Sequence, residues 1–340
     1  MTTHCFSFIC LLASLGHAST SAKEDKGVLT LVEVRKIWDK APHNAFTDLV
    51  RFKDEWFCTF REDKNHWSKG AAGKIRVLRS AEGEKWEPAG LISGEGDLRD
   101  PKLSVTPQNK LMLIYFRRFN PHRWPKQNEQ QFAQFSKDGT QWGTPSEIGI
   151  PNSWLWRVTW HEGKAYGITQ HGSKDHPPFG RPRKGRLLVS DNGKEFSPLA
   201  DAVDGGEATI RFGSDGTSYC LRRCPGNNER DMGYWGQSKA PYREWKWTRM
   251  NKRIGGPNFI ILPDGRMIAA VRLYYDGGAR TSLCWLDPKA GTLTEALTLP
   301  SSGDTSYAGL VWYENMLWVS YYSSHEGKAS IYLAKVKFGN

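Results

Sequence analysis

The residues best suited to chemistry are arginines, carboxylates, histidines and tyrosines that recur at the ends of short apolar runs. Arg61, Glu62, Asp63 and His66 follow one such run, and Asp97-Leu98-Arg99-Asp100-Pro101 opens another. Further along come Trp154, Arg157 and His171, then Gly205-Gly206-Glu207 and Arg222-Arg223. The last groups are Asn258, Arg272 and Arg280, then Asp304, Tyr307 and Ser323-Ser324-His325-Glu326. One arginine at a strand end is usually solvated or structurally paired. Guanidinium groups that recur at matching places and converge would instead hold a carboxylate by bidentate hydrogen bonds. Carboxylates, histidines and tyrosines beside them are the types that carry general acid–base and nucleophilic work.

Such convergence needs a scaffold that gathers distant segments, and the sequence carries one. Ser80-Ala81-Glu82-Gly83-Glu84-Lys85-Trp86, Ser136-Lys137-Asp138-Gly139-Thr140-Gln141-Trp142 and Ser190-Asp191-Asn192-Gly193-Lys194-Glu195-Phe196 repeat one motif, at separations of 56 and 54 residues. Each reads as a hairpin turn, in which the acid or Asn bonds nearby backbone N–H groups and Gly supplies positive φ. These turns are structural, with the aromatic packing back beneath them. Around them, strand–turn–strand units begin near residues 46, 99, 154, 207, 258 and 306. Six units of about fifty residues and four strands predict an all-β, six-bladed β-propeller rather than a two-sheet sandwich. Val28–Val34 has no unit of its own and is expected to complete the last blade, closing the ring and removing exposed edges.

The degenerate turns and six units resemble the sialidase (neuraminidase) superfamily across residues 23–340. Glu207-Ala-Thr-Ile-Arg-Phe-Gly-Ser-Asp-Gly216 followed by Arg223 is similar to that family's blade 4 pattern. Arg280, within Ala279-Arg280-Thr281-Ser282-Leu283, resembles its blade 5 arginine, and Tyr307-Ala308-Gly309-Leu310 its blade 6 nucleophile. The resemblance implies that Tyr307 attacks a sugar's anomeric carbon, Glu207 takes its proton, and Arg223 and Arg280 hold the substrate carboxylate. Sialidases are an exception to the two-carboxylate rule of glycosidases. Two parts of the family pattern are absent. Thr47 stands near the place of a third arginine, and Lys69-Gly70-Ala71-Ala72-Gly73 holds no acid/base aspartate. Arg61 or Arg99 are the candidates for the missing guanidinium, and Asp63, His66 or Asp100 for the acid. Arg157, Asn258, Arg272 and His325 are further candidates for substrate binding by their blade positions.

Composition limits the alternatives. The 340 residues include 47 Lys+Arg against 36 Asp+Glu, a net charge of +11 that favours anionic partners. No apolar run approaches the roughly 18 residues of a membrane span. Residues 1–22 lack acidic and basic side chains, and an apolar run from Cys5 to Leu15 precedes small residues. This reads as a secretory leader, with residues 23–340 forming one domain in a secreted or periplasmic protein. Cys58, Cys220, Cys224 and Cys284 would remain; their spacing fits no zinc motif, and either one Cys220–Cys224 bridge or isolated thiols fit. No calcium-loop spacing or other cofactor motif occurs. Nucleic-acid motifs are likewise missing and the basic residues are scattered. The leading expectation is an exo-glycosidase acting on a terminal acidic sugar of a glycan. Two others are a non-catalytic glycan binder, with Trp67, Trp124, Trp154 and Trp235 as stacking surfaces, and a uronic-acid lyase using His66, His171 or His325.

Overall fold

The structure is a computed structural model that describes residues 1, 27–66, 73–119, 130–171, 184–224, 226 and 230–339. These residues contain strands and no α-helix. The strands form six antiparallel sheets, each running outward through successive strands of the chain. The innermost strands are His43–Phe52, Asp97–Val105, the split pair Ser153–Leu155 and Thr159–His161, Ala208–Phe212, Ile254–Ile261 and Thr305–Tyr313. Each lies against the inner strands of both neighbouring blades, so the sheets close into a ring. The expected unit starts agree with these strands to within a few residues.

Closure uses the first strand of the chain. Leu29–Trp38 pairs antiparallel with Ser330–Phe338 and supplies the fourth strand of blade 6. The expected role of Val28–Val34 is therefore met, with the strand extending to Trp38. The outermost strands keep a solvent-facing edge, and Glu87–Ile92 and Ser197–Ala202 have no fully buried residue.

The repeated turns hold blade to blade. Gly83, Gly139 and Gly193 each donate their N–H to the Oγ of Ser80, Ser136 and Ser190, at 2.9, 2.8 and 2.9 Å. Asp138 Oδ1 accepts from the N–H groups of Thr140 and Gln141, and Asn192 Oδ1 from those of Lys194 and Glu195. All three glycines have positive φ, and a Cβ on them would strike Trp318, Phe57 and Trp160 respectively. Glycine is thus required both by the turn and by an aromatic ring pressed against it. Trp56 and Trp318, their rings 4.3 Å apart, fill the seam between blades 1 and 6.

Four inner strands carry a β-bulge near their start. The registers slip between Ala45 and Asp48, Arg99 and Lys102, Gly255 and Asn258, and Ser306 and Gly309. Positive φ occurs in each bulge: at Phe46 (65°), at Asp100 (52°), at Gly256 (55°), and at both Ser306 (91°) and Tyr307 (53°). For the four with side chains this backbone costs about 1–3 kcal/mol each, a strain typical of sites where a side chain must be re-aimed. Neighbouring strands lock the bulges: Thr47 Oγ1 donates to the Tyr307 carbonyl at 2.9 Å and Thr209 Oγ1 to that of Pro257 at 2.8 Å. Asn258 Nδ2 donates to the Ala308 carbonyl at 2.9 Å.

Candidate functional site

The bulges and the strand starts bring side chains from all around the ring to one end of the axial channel. At its centre Tyr307 Oη donates to Glu207 Oε1 at 2.7 Å. Arg223 Nη1 donates to the same oxygen at 2.8 Å and lies 3.3 Å from Tyr307 Oη. Glu207 Oε2 accepts the Gly256 N–H at 2.9 Å. Burial pushes the Glu207 pKa up, but the Arg223 charge and the donated hydrogen bonds outweigh it and hold the carboxylate below its ordinary range. Burial and the Glu207 charge raise the Tyr307 pKa well above that of a free phenol. The pair is therefore a neutral phenol bonded to an ionised carboxylate, the arrangement of a nucleophile beside its base.

Arg272 forms the second side of this centre. Its guanidinium lies 5.1 Å from the Tyr307 ring centre. Nε donates to the Thr305 carbonyl at 2.8 Å, and Nη2 to Tyr322 Oη at 2.9 Å and Asp304 Oδ1 at 3.2 Å. Asp304 Oδ1 also accepts from Tyr322 Oη at 2.6 Å, while Oδ2 meets His66 Nδ1 at 2.7 Å and His43 Nε2 at 3.0 Å. Burial raises the Asp304 pKa, but the two histidines and Arg272 outweigh it and hold it well below the usual carboxylate range. Burial drives His43 toward its neutral form, with His66 and Arg61 adding to the effect and Asp304 opposing it. His43, His66 and Asp304 each offer one ligand atom within 4.8 Å of the others, as metal ligands would. Arg272 already lies against the same carboxylate, so the cluster stands in cationic surroundings and its hydrogen bonds account for its geometry.

Blades 1 and 2 close the rim. Arg61 donates from Nε to Asp97 Oδ1 at 2.7 Å, from Nη1 to the Asn65 carbonyl at 3.0 Å, and from Nη2 to Asp63. Arg99 Nη1 donates to Asp97 Oδ2 at 2.9 Å and to the His66 carbonyl at 3.0 Å, with its guanidinium 4.9 Å from the Phe46 ring centre. Phe46 packs on Tyr307 at 5.2 Å and on His66 at 5.3 Å. Trp156 closes on Tyr307 from blade 3 at 5.3 Å. Asp100 sits on the blade 2 bulge, almost wholly buried. Burial raises its pKa and the Glu207 charge adds to this, against the opposing pull of Arg99, Lys102 and Arg61. The net effect biases Asp100 toward its protonated form.

The sequence candidates divide on this geometry. Tyr307, Glu207, Arg223 and Arg272 come together, and Asp100 and His66 stand beside them. Arg280 does not join them. It forms a two-toothed pair with Glu295, Nε to Oε1 at 2.8 Å and Nη2 to Oε2 at 2.7 Å. Leu273 is the partner of Arg280 across the hairpin, so strand alternation sends Arg272 to the opposite face, and it is Arg272 that reaches Tyr307. Arg61 has no nitrogen left for a substrate, and Asp63 is its buried counter-ion. Arg157 is bonded to Asp48, and Asn258 to Arg211 and the backbone, in the far half of the channel. His325 bonds Ser323 and lies on Tyr332, within its own hairpin.

The proposed stacking surfaces fare similarly. Trp154 packs edge-on against Trp156, and Trp235 is wholly buried between blades, donating to the Pro288 carbonyl. Residues 2–22 of the expected leader, Trp67, Trp124 and the His171 side chain lie outside the described residues. Cys220 is a buried thiol within the strand Ser218–Arg222, not half of a bridge, and Cys58 and Cys284 are buried thiols too. His43, Phe46, Trp156 and Tyr322 join the site without being among the sequence candidates. His43 and Tyr322 carry a readable signal, since they occupy the same strand ends as Asp97 and Arg272. Phe46 carries none, because nothing in Ala45-Phe46-Thr47 announces a bulge.

Gly256 provides a test of this centre. A Cβ there would lie 2.7 Å from Tyr307 Cδ2, at a backbone φ of 55°. Gly256→Ala is expected to displace the tyrosine ring and lower turnover by about ten- to a hundred-fold with little loss of folded protein, since small misplacements of reacting groups have effects of that order. Turnover measured alongside circular dichroism checks it.

By sequence, no family model and no curated protein matches the chain. Among solved structures, a Dyadobacter fermentans protein of unknown function superposes with a TM-score of 0.77 at 18% identity, covering 91% of this chain and 99% of that one. The phage phi92 endosialidase superposes at 0.66 and 10% identity, covering 91% and 69%. Trypanosoma rangeli sialidase bound to the inhibitor DANA superposes at 0.63 and 10% identity; this chain covers 87% of itself but 55% of that protein. The fold is that of a sialidase-like propeller. At these identities the likeness concerns architecture, and the sialidase-like propeller described here must be judged on its own side chains.

Proposed function

We propose that this sialidase-like propeller is an exo-glycosidase that removes a terminal acidic sugar from a glycan, with Tyr307 as nucleophile. The observation that carries the reading is the 2.7 Å hydrogen bond from Tyr307 to Glu207, with Arg223 shared between them. Glu207 takes the phenolic proton as Tyr307 Oη forms a bond to the anomeric carbon. The glycosidic bond breaks on the other side, and its oxygen leaves with a proton from Asp100. Water then attacks the anomeric carbon, and its proton passes to Asp100 while the phenol regains its own from Glu207.

The acidic sugar is supported by Arg223 and Arg272, which flank Tyr307. Arg223 Nη2 and Arg272 Nη1 have no bonding partner among the described residues, which suits them to a substrate carboxylate. A neutral phenol also approaches a carboxylate-bearing carbon without charge repulsion. The charge-free apolar start of the chain supports export by a cleaved leader.

The decisive experiment is incubation with a panel of sialosides, uronic-acid oligosaccharides and neutral glycans, with product analysis. Release of a free acidic monosaccharide is expected. An unsaturated product absorbing in the ultraviolet would instead identify a lyase, and saturable binding without product a glycan receptor.

A further inference from the structure

The other end of the axial channel is also built from charged residues, and the glycosidase reading does not use them. There the C-terminal halves of the inner strands enclose a cavity of about 240 Å3. Asp48, Leu103, Arg157, Arg211, Asn258 and Leu310 line it, one from each blade. Arg157 Nη1 holds both oxygens of Asp48, at 2.9 and 2.8 Å, and Asp48 Oδ2 also accepts the Leu103 N–H at 2.8 Å. That carboxylate is fully engaged. Arg157 is 6% exposed, and its buried Nε has no partner.

Arg211 bonds only neutral groups. Nη1 donates to the Ile210 carbonyl at 2.8 Å and to Thr159 Oγ1 at 3.0 Å, and Nη2 to Asn258 Oδ1 at 2.9 Å. Two guanidinium groups against one carboxylate leave one excess positive charge in the cavity wall. Above it, buried Lys102 adds another, its ammonium resting on carbonyls and 4.6 Å from the Trp156 ring centre. Burial, with Arg157 repulsion added, lowers the Arg211 pKa to about 9, which reports the same imbalance. Arg211 is half-buried, so its charge is partly desolvated without a counter-charge, and an anion held by charge-assisted hydrogen bonds offsets that cost. The cavity is smaller than the roughly 300–1,000 Å3 of small-molecule sites, but has room for an ion and its waters.

We infer that this cavity binds a small inorganic monoanion of halide type between Arg157 and Arg211, at the end of the channel opposite Tyr307. The ion bridges blades 3 and 4, and because it binds the folded ring alone it adds to the stability of that state. This inference is independent of the glycan reading.

The test replaces sodium gluconate by sodium chloride at constant ionic strength, so that only the anion changes. The melting temperature of the full chain is expected to rise saturably by about 3–5 °C. Arg211→Met is expected to lose the chloride dependence while keeping its fold in gluconate. Crystals grown in sodium bromide should show an anomalous peak within hydrogen-bonding distance of the Arg211 guanidinium. Equal melting in both salts, or a bromide crystal without that peak, overturns the inference. Should Arg211→Met fail to fold, the wild-type melting and bromide measurements decide the matter alone.

Discussion

Tyr307→Phe is expected to lower kcat by about a thousand-fold or more on whichever acidic glycoside the panel identifies, with KM nearly unchanged. The substitution removes one oxygen. The ring would keep its contacts with Phe46 and Trp156, at 5.2 and 5.3 Å, and the bulge that aims it rests on backbone bonds. Folding should therefore survive. What disappears is the atom that forms the bond, and with it the hydrogen bond to Glu207. Glu207→Gln removes the base but keeps its shape, and should cost a similar factor. Because the two act as one unit, the double variant should be scarcely slower than either single one. Full additivity, or turnover untouched in both, would place the chemistry elsewhere. Substrate still saturates Arg223 and Arg272 in the phenylalanine variant, so a bound, uncleaved glycan is expected by calorimetry.

Much of this centre was readable before any coordinates, for a physical reason. In a propeller every blade presents the same strand ends to the axis, so a repeat of constant length predicts which distant residues meet. That rule puts Glu207, Arg222-Arg223 and Tyr307 among the converging residues, and the resemblance to the sialidase superfamily singles out Glu207, Arg223 and Tyr307. The rule fails where a single residue changes the face of a strand. Arg272 and Arg280 both flank the blade 5 hairpin, and only the pairing of Leu273 with Arg280 tells which one turns toward the tyrosine. It fails again at the bulges. They aim Phe46, Asp100 and Tyr307 through positive φ, which the residue types themselves disfavour. Thr47 stands near the place of the family's third arginine, but it supports the Tyr307 backbone, and Phe46 faces the ring. Arg61 looked available because sequence cannot show that Asp63, Asp97 and the Asn65 carbonyl already use all its nitrogens.

Asp100→Asn carries the second large effect, because it separates proton donation from nucleophilic attack. The two carboxyl groups of the centre are pushed in opposite directions. Glu207 lies below its ordinary range, so it is an ionised base at neutral pH, while burial biases Asp100 toward the protonated acid. The rate should fall at low pH as Glu207 gains its proton, and fall at higher pH as Asp100 loses its own. Asparagine cannot give up a proton, so the high-pH fall should vanish. Turnover of natural glycosides should drop by about a hundred- to ten-thousand-fold. Aryl glycosides whose leaving group departs without a proton should be nearly spared, which a merely structural role for Asp100 would not produce. His66 is the competing donor, but its Nδ1 is engaged by Asp304 at 2.7 Å. If Asp100→Asn keeps both its high-pH limb and its rate on natural substrates while His66→Asn loses them, the acid is His66. The Asp304 cluster would then be the device that orients it.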